Sequence, residues 1–301
     1  MHLCHTYYGP NCINLTKSVV LYVLFSKIMF IFASESVRER LAPSLQHHTH
    51  ADYATNMKQI RTILILMLLG TMGAQAQNVQ LHYDLGHTLN GNLSGRPNVT
   101  STIEMFKADR WGQNFFFVDL DYFSDGMAGA YWELFREFNV TKDKRWALHL
   151  EYDGGATSVE HTAISSRFQH AFLAGGAWNW ASSDFSKTLS LQVLYKYYFK
   201  GQGRGAFNGF QLTGVWGDTF AKGLCTFSGF VDVWYDKDVN GKLIVLSEPQ
   251  FWVNLNALKG WEGINLSLGT EVELSNNFVF DNEGNNNKFY AIPTVAAKWT
   301  F

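Results

Sequence analysis

From Phe289 to Phe301 the chain alternates with a period of two. The odd positions Phe289, Ala291, Pro293, Val295, Ala297, Trp299 and Phe301 are apolar, with aromatic rings at the ends. The even positions Tyr290, Ile292, Thr294, Ala296, Lys298 and Thr300 are mixed and more polar. That period defines a strand with one greasy face. A soluble strand buries such a face in a core, whereas a barrel strand in a membrane turns it to lipid. A long strand that closes on an aromatic residue favours lipid, provided the pattern repeats and the chain is exported.

An export signal is legible upstream. Met57 is followed by Lys58 and Arg61, a short apolar run over 63–69, and Ala74-Gln75-Ala76. A basic start, an apolar stretch and a small-x-small end describe a secretory signal peptide over 57–76. The run is too short for a membrane-spanning helix of about 20 residues. Cleavage is expected after Ala76, leaving 77–301 as a single domain. Residues 1–56 hold another apolar run over 19–33, broken by Lys27, and the histidines His47, His48 and His50. They are expected to be a non-native upstream extension produced by start-site choice. The alternative is an uncleaved N-terminal anchor.

The rest of the chain repeats the alternation. Strands are expected near 78–88, 98–108, 113–124, 130–140, 145–154, 167–181, 187–200, 207–217, 223–236, 242–256, 263–275 and 288–301. Twelve is an even number, as a single-chain bacterial barrel requires when both ends lie on one side. The connections at 109–112, 141–144, 182–186, 218–222 and 257–262 are compact. Those at 88–97, 155–166, 201–205 and 275–287 are longer or rich in Gly and Asn. Short turns at one end and long loops at the other are the asymmetry of an outer-membrane barrel. The fold class is therefore all-β, a 12-stranded antiparallel transmembrane β-barrel. Aromatics make up 16% of the chain and prolines number only 5, and both favour strand.

The aromatics agree with this register. With greasy faces outward, Trp146, Trp178, Trp180, Trp216 and Trp299 fall at one membrane surface. Trp132, Tyr195, Tyr197 and Phe199 fall at the other. Two girdles from one assignment are expected of a membrane barrel.

The opposite faces line the interior and are acidic. Strand 145–154 turns Ala147, His149, Glu151 and Asp153 inward against outward Trp146, Leu148, Leu150 and Tyr152. Asp119 and Asp121 oppose Phe116, Val118, Leu120 and Tyr122. Glu133, Glu137, Phe230, Asp232, Trp234, Glu248, Gln250, Trp252, Asn254, Glu271 and Glu273 are also inward, as are Asp84, Glu104, Lys196 and Lys298. A charge facing lipid at the midplane costs about 2–4 kcal/mol, which enforces the sorting. Arg136 falls on the outward face; either it lies near the interface and snorkels, or the register of its strand is off by one.

Carboxylates, amides and large rings inside a pore suit neutral or cationic solutes with a flat apolar face and a polar rim, and disfavour anions. The candidate pore-lining and solute-contacting residues are Glu104, Asp119, Asp121, Glu133, His149, Glu151, Phe230, Asp232, Trp234, Glu248 and Trp252.

Three runs carry a resemblance to a known family: 101–119 (STIEMFKADRWGQNFFFVD), 131–138 (YWELFREF) and 228–236 (SGFVDVWYD). The chain resembles the nucleoside-specific channel-forming (Tsx-like) outer-membrane proteins, in a divergent branch of the Bacteroides type. The best-matching positions are Glu104, Asp119, Glu133, Phe230 and Asp232. The resemblance implies a twelve-stranded barrel and a narrow pore for nucleosides, lined with aromatic and ionisable residues.

Other readings are weaker. The formal net charge is −2 and the acidic excess grows after residue 76, which argues against nucleic acid as a partner. Cys225 is the only thiol after the signal segment, so no intrachain disulfide is expected there. His82, His87, His149, His161 and His170 lack metal-ligand spacing, and neither metal nor cofactor is expected. Gly201–Gly205 reads as a loop tip, not a phosphate cradle, because strand follows it. The expected partners are membrane lipid and lipopolysaccharide, the barrel assembly machinery through Phe301, and small polar solutes. A non-enzymatic channel is the leading reading. A structural or adhesion barrel with an occluded lumen is one alternative. A lipid-modifying enzyme using Ser165, Ser166 and His161 is the other.

Overall fold

The computed structural model describes residues 76–124, 126–157, 169–201, 203–239 and 243–301. The upstream extension, nearly all of the signal segment, and Ser165, Ser166 and His161 lie outside the described residues.

The strands are β1 (Ala76–Asp84), β2 (Val99–Ala108), β3 (Gly112–Phe123), β4 (Gly126–Asn139), β5 (Trp146–Thr157), β6 (Ala171–Ala181), β7 (Lys187–Tyr198), β8 (Phe207–Phe220), β9 (Cys225–Tyr235), β10 (Leu243–Ser247), β11 (Gln250–Asn254), β12 (Leu266–Asn276) and β13 (Phe289–Thr300). Each pairs antiparallel with its neighbours, and β13 pairs with both β12 and β1, closing the sheet on itself. Closure leaves no bare edge, which a bilayer demands because lipid cannot satisfy backbone N–H and C=O groups.

Thirteen segments make twelve staves. β10 and β11 lie end to end between β9 and β12, so they are two halves of one strand. Sequence alternation predicts one strand over 242–256. The structure breaks it at Glu248-Pro249, because proline has no N–H to give the ladder. Gly229 on β9 makes room: a Cβ there would lie 2.6 Å from the Glu248 carbonyl oxygen and 2.9 Å from the Pro249 Cα.

Strand ends also differ from the sequence expectation. β1 stops at Asp84, where the chain turns into a short helical segment, Gly86–Leu89. Asp84 accepts a hydrogen bond from the Gly86 N–H, which turns the chain away from the ladder. The connection before β12 runs over 255–265, longer than expected, and holds a 3-10 turn, Leu255–Ala257. The loop over 277–288 folds back to the wall. Its Val279 packs in a buried cluster with Leu93, Tyr290 and Ile292, and Phe278 lies against that cluster.

The outer surface is apolar. Leu81, Leu191, Val193, Leu212, Leu268 and Val295 are exposed. Trp111, Trp146, Phe185, Trp261 and Trp299 stand exposed near the turn end, and Tyr83, Tyr195 and Tyr197 near the loop end. These are the greasy belt and two aromatic girdles of a membrane-spanning wall. Arg136 does point outward, at the turn end of β4. Its two terminal nitrogens donate to both carboxylate oxygens of Asp109 at 2.9 and 3.0 Å.

Candidate functional site: the lumen

The inward face of every stave meets one cavity of about 1680 Å³. At the turn end its lining includes Asp143, Lys144, Arg145 and Phe185. At the loop end it includes Asp236, Asp238, Gly284 and Asn286. The cavity therefore runs the length of the barrel. Acidic residues in its lining outnumber Lys and Arg by more than two to one.

Strand alternation puts the expected acids here. Glu104, Asp119, Asp121, Glu133, Glu151, Asp153, Asp232, Glu248, Glu271 and Glu273 all line the cavity. Their partners differ. Thr102 donates to Asp119 at 2.5 Å and Thr100 to Asp121 at 2.6 Å. Tyr131 donates to Glu133 at 2.6 Å. Asn78 and Gln80 donate to Glu104. Glu248 stands at the break between β10 and β11, within electrostatic range of Glu271, Glu273, Asp119 and Glu133. Acids from β3 and β4 thus face acids from the β10–β12 wall, an arrangement that repels anions and concentrates cations.

A second group is packed into the wall. His149 is fully buried, with Nδ1 3.0 Å from Glu137 Oε1 and Nε2 2.8 Å from Glu151 Oε2. Lys196 Nζ lies 2.8 Å from Asp153 Oδ2 and donates to Gln211 Oε1 at 2.8 Å. Thr213 donates to Asp232. The ladder from Glu137 to Asp232 crosses β4 to β9, so these groups brace the wall as well as facing inward. His149 is inward as expected, yet it is sealed from the lumen by its carboxylate partners.

Phe230 and Trp234 line the cavity. Trp234 meets Phe278 edge-on at 5.8 Å between centroids, with the Lys196 ammonium 5.4 Å from its ring. Trp252 is inward but wholly buried, not exposed to this cavity. Its ring lies under Lys298 Nζ at 4.1 Å and against the edge of His82 at 6.0 Å.

Sequence reasoning missed an aromatic patch on the same wall. Phe115, Phe117, Tyr131 and Phe135 are inward, half-buried and line the cavity. Phe115 stacks on Phe135 at 5.3 Å, and Phe117 lies 5.8 Å from Tyr131. The signal was Phe115-Phe116-Phe117, a run that makes both faces of β3 aromatic. Arg96 was missed too. It reaches in from the loop after β1 to Asp84 at 3.1 Å and Glu273 at 2.9 Å. Over the mouth, Lys288 donates to Asp281 at 2.7 Å, and that bond with the backbone N–H groups of Asn285 and Glu283 holds the Asp281 carboxyl down at about 2.

A closed antiparallel barrel with a lipid-facing belt, two aromatic girdles and a charged lumen defines a bacterial outer-membrane β-barrel protein. Within that class, residues 76–301 match the family described as "Domain of unknown function (DUF5020)", and the chain belongs to that family. No curated protein matches the sequence. Solved structures that match include the KdgM porin, at 11% identity and TM-score 0.40 over 75% of this chain and 99% of that one. LpxR from Salmonella typhimurium matches at 10% identity and TM-score 0.41 over 75% of this chain and 100% of that one. The outer membrane channel DcaP of Acinetobacter baumannii matches at 9% identity and TM-score 0.31 over 69% of this chain and 64% of that one.

Proposed function

We propose that the barrel is a passive outer-membrane channel, not an enzyme, through which small polar solutes diffuse. The observation that carries this reading is the main cavity, lined from the β4–β5 turn to the loops over β9 and β12. A barrel kept only for structure or adhesion gains nothing from an open lumen crowded with carboxylates, whose mutual repulsion works against the folded state.

The lining supports a substrate class. Phe115, Phe117, Tyr131 and Phe135 offer ring faces next to Glu133 and Asp119. A flat ring stacks on the first group while its amines or hydroxyls donate to the second. Nucleosides fit that description, and the Tsx-like resemblance in 101–119 and 131–138 favours them. Planar cations fit equally well on charge.

Liposome swelling with purified 77–301 protein tests the proposal. Uridine and adenosine should enter faster than a sugar acid of similar size. Vesicles that do not swell with any solute would leave the occluded-barrel alternative standing.

A further inference from the structure

A smaller cavity of about 620 Å³ lies at the turn end, lined by Thr226, Asn254, Asn265, Ser267 and Lys298 among others. Among the described residues, Lys298 alone lines both this cavity and the main one. Trp252 lines neither, because it is fully buried beside Lys298. On the opposite side of the turn end, the main cavity reaches the β4–β5 and β6–β7 turns at Arg145 and Phe185.

The Trp252 ring is held from several directions. Its indole N–H donates to Gln250 Oε1 at 2.9 Å, and Glu271 accepts from Gln250 at 2.6 Å. Gly269 on β12 clears the space: a Cβ there would lie 2.6 Å from the indole. A large, rigid side chain fixed on a cleared backbone is suited to act as a wall.

We propose that Trp252, with Lys298 laid over it, is a partition that separates the two cavities and confines flow to the β4–β7 side of the lumen. It thereby sets the conductance and size limit of the pore. This rests on the channel reading above.

The test is single-channel recording in planar bilayers with Trp252→Ala, Trp252→Leu and Lys298→Ala proteins, each checked for the barrel's heat-dependent gel mobility. Joining the cavities should raise conductance at least about twofold in Trp252→Ala, with a smaller rise in the other two. Trp252→Phe should stay near wild type. Folded Trp252→Ala or Trp252→Leu protein with wild-type conductance and an unchanged size limit overturns the partition. Wild-type protein that passes no current overturns the channel reading instead. The partition is then read by reagent access in a Cys225→Ser, Thr226→Cys background. A charged thiol reagent added at the loop end should label it only when Trp252→Ala is also present. Equal labelling with and without Trp252→Ala overturns the partition.

Discussion

Arg96 Nη2 lies 2.9 Å from Glu273 Oε2, tying the loop after β1 to β12 across the seam where the barrel closes. The same guanidinium also holds Asp84. All three side chains are only 11–13% exposed, so little of the tie is open to solvent. Removing one member of a buried ion cluster strands the others, at about 3–5 kcal/mol. Arg96→Met should therefore lower the unfolding free energy of the vesicle-embedded barrel, read from a urea titration, by about 3–5 kcal/mol. Tryptophan fluorescence reads the unfolding. A loss below about 1 kcal/mol would show that the acids find other partners.

Selectivity should depend on the acids that face open lumen. Glu248 and Asp119 lie within range of one another across the lumen. Asp232 is buried and bonded to Thr213, so it should contribute less. Asp119→Asn with Glu248→Gln should move the reversal potential in a salt gradient towards zero, and Asp232→Asn should move it little. An unchanged potential in the double variant would remove both acids from the selectivity site.

The Arg136–Asp109 clamp makes a pH prediction. Arg136 hydrogen bonds, with smaller help from the Trp111 and Gly112 N–H groups, hold the Asp109 carboxyl below its usual range. A lowered carboxyl pKa in the folded state gives stability that is fully present above the unfolded value near 4. It is lost as pH falls through the folded value. Asp109→Asn should thus cost at most about 1 kcal/mol at neutral pH, since the pair is partly screened by solvent, with the gap to wild type closing as the pH falls through the folded carboxyl's value. A gap that persists at acid pH would place the effect in packing, not charge.

Two glycines should behave oppositely. A Cβ on Gly269 would lie 2.2 Å from the Phe251 carbonyl oxygen, where backbone must give way. Gly176 on β6 has nothing within 4 Å. Gly269→Ala should destabilise by about 1–3 kcal/mol, while Gly176→Ala stays within about 0.5 kcal/mol. Chemical unfolding of the two variants side by side checks this.

The wall of the barrel was readable because a closed membrane sheet enforces period two on both sides. β5 shows it: Trp146 and Leu148 are exposed outside, while His149, Glu151 and Asp153 are buried inside. The rule also hid part of the site. Phe115, Phe117 and Phe135 are apolar and inward, so a reading that sends grease to lipid passes over them. Arg96 and Phe278 sit in loops, where no period marks which residues turn back into the lumen. The break at Pro249 was visible as a proline, but its consequence depends on Gly229 from the neighbouring strand. That Trp252 is a buried wedge and not an exposed lining ring follows from Lys298 and Gly269, which come from other strands and leave no trace in its own pattern.

The most direct test of the account is the current carried by purified wild-type 77–301 protein across a planar bilayer under a potassium chloride gradient. Discrete conductance steps with a reversal potential on the cation-selective side are the predicted result. Silence, or steps that favour chloride, would contradict an open acidic lumen.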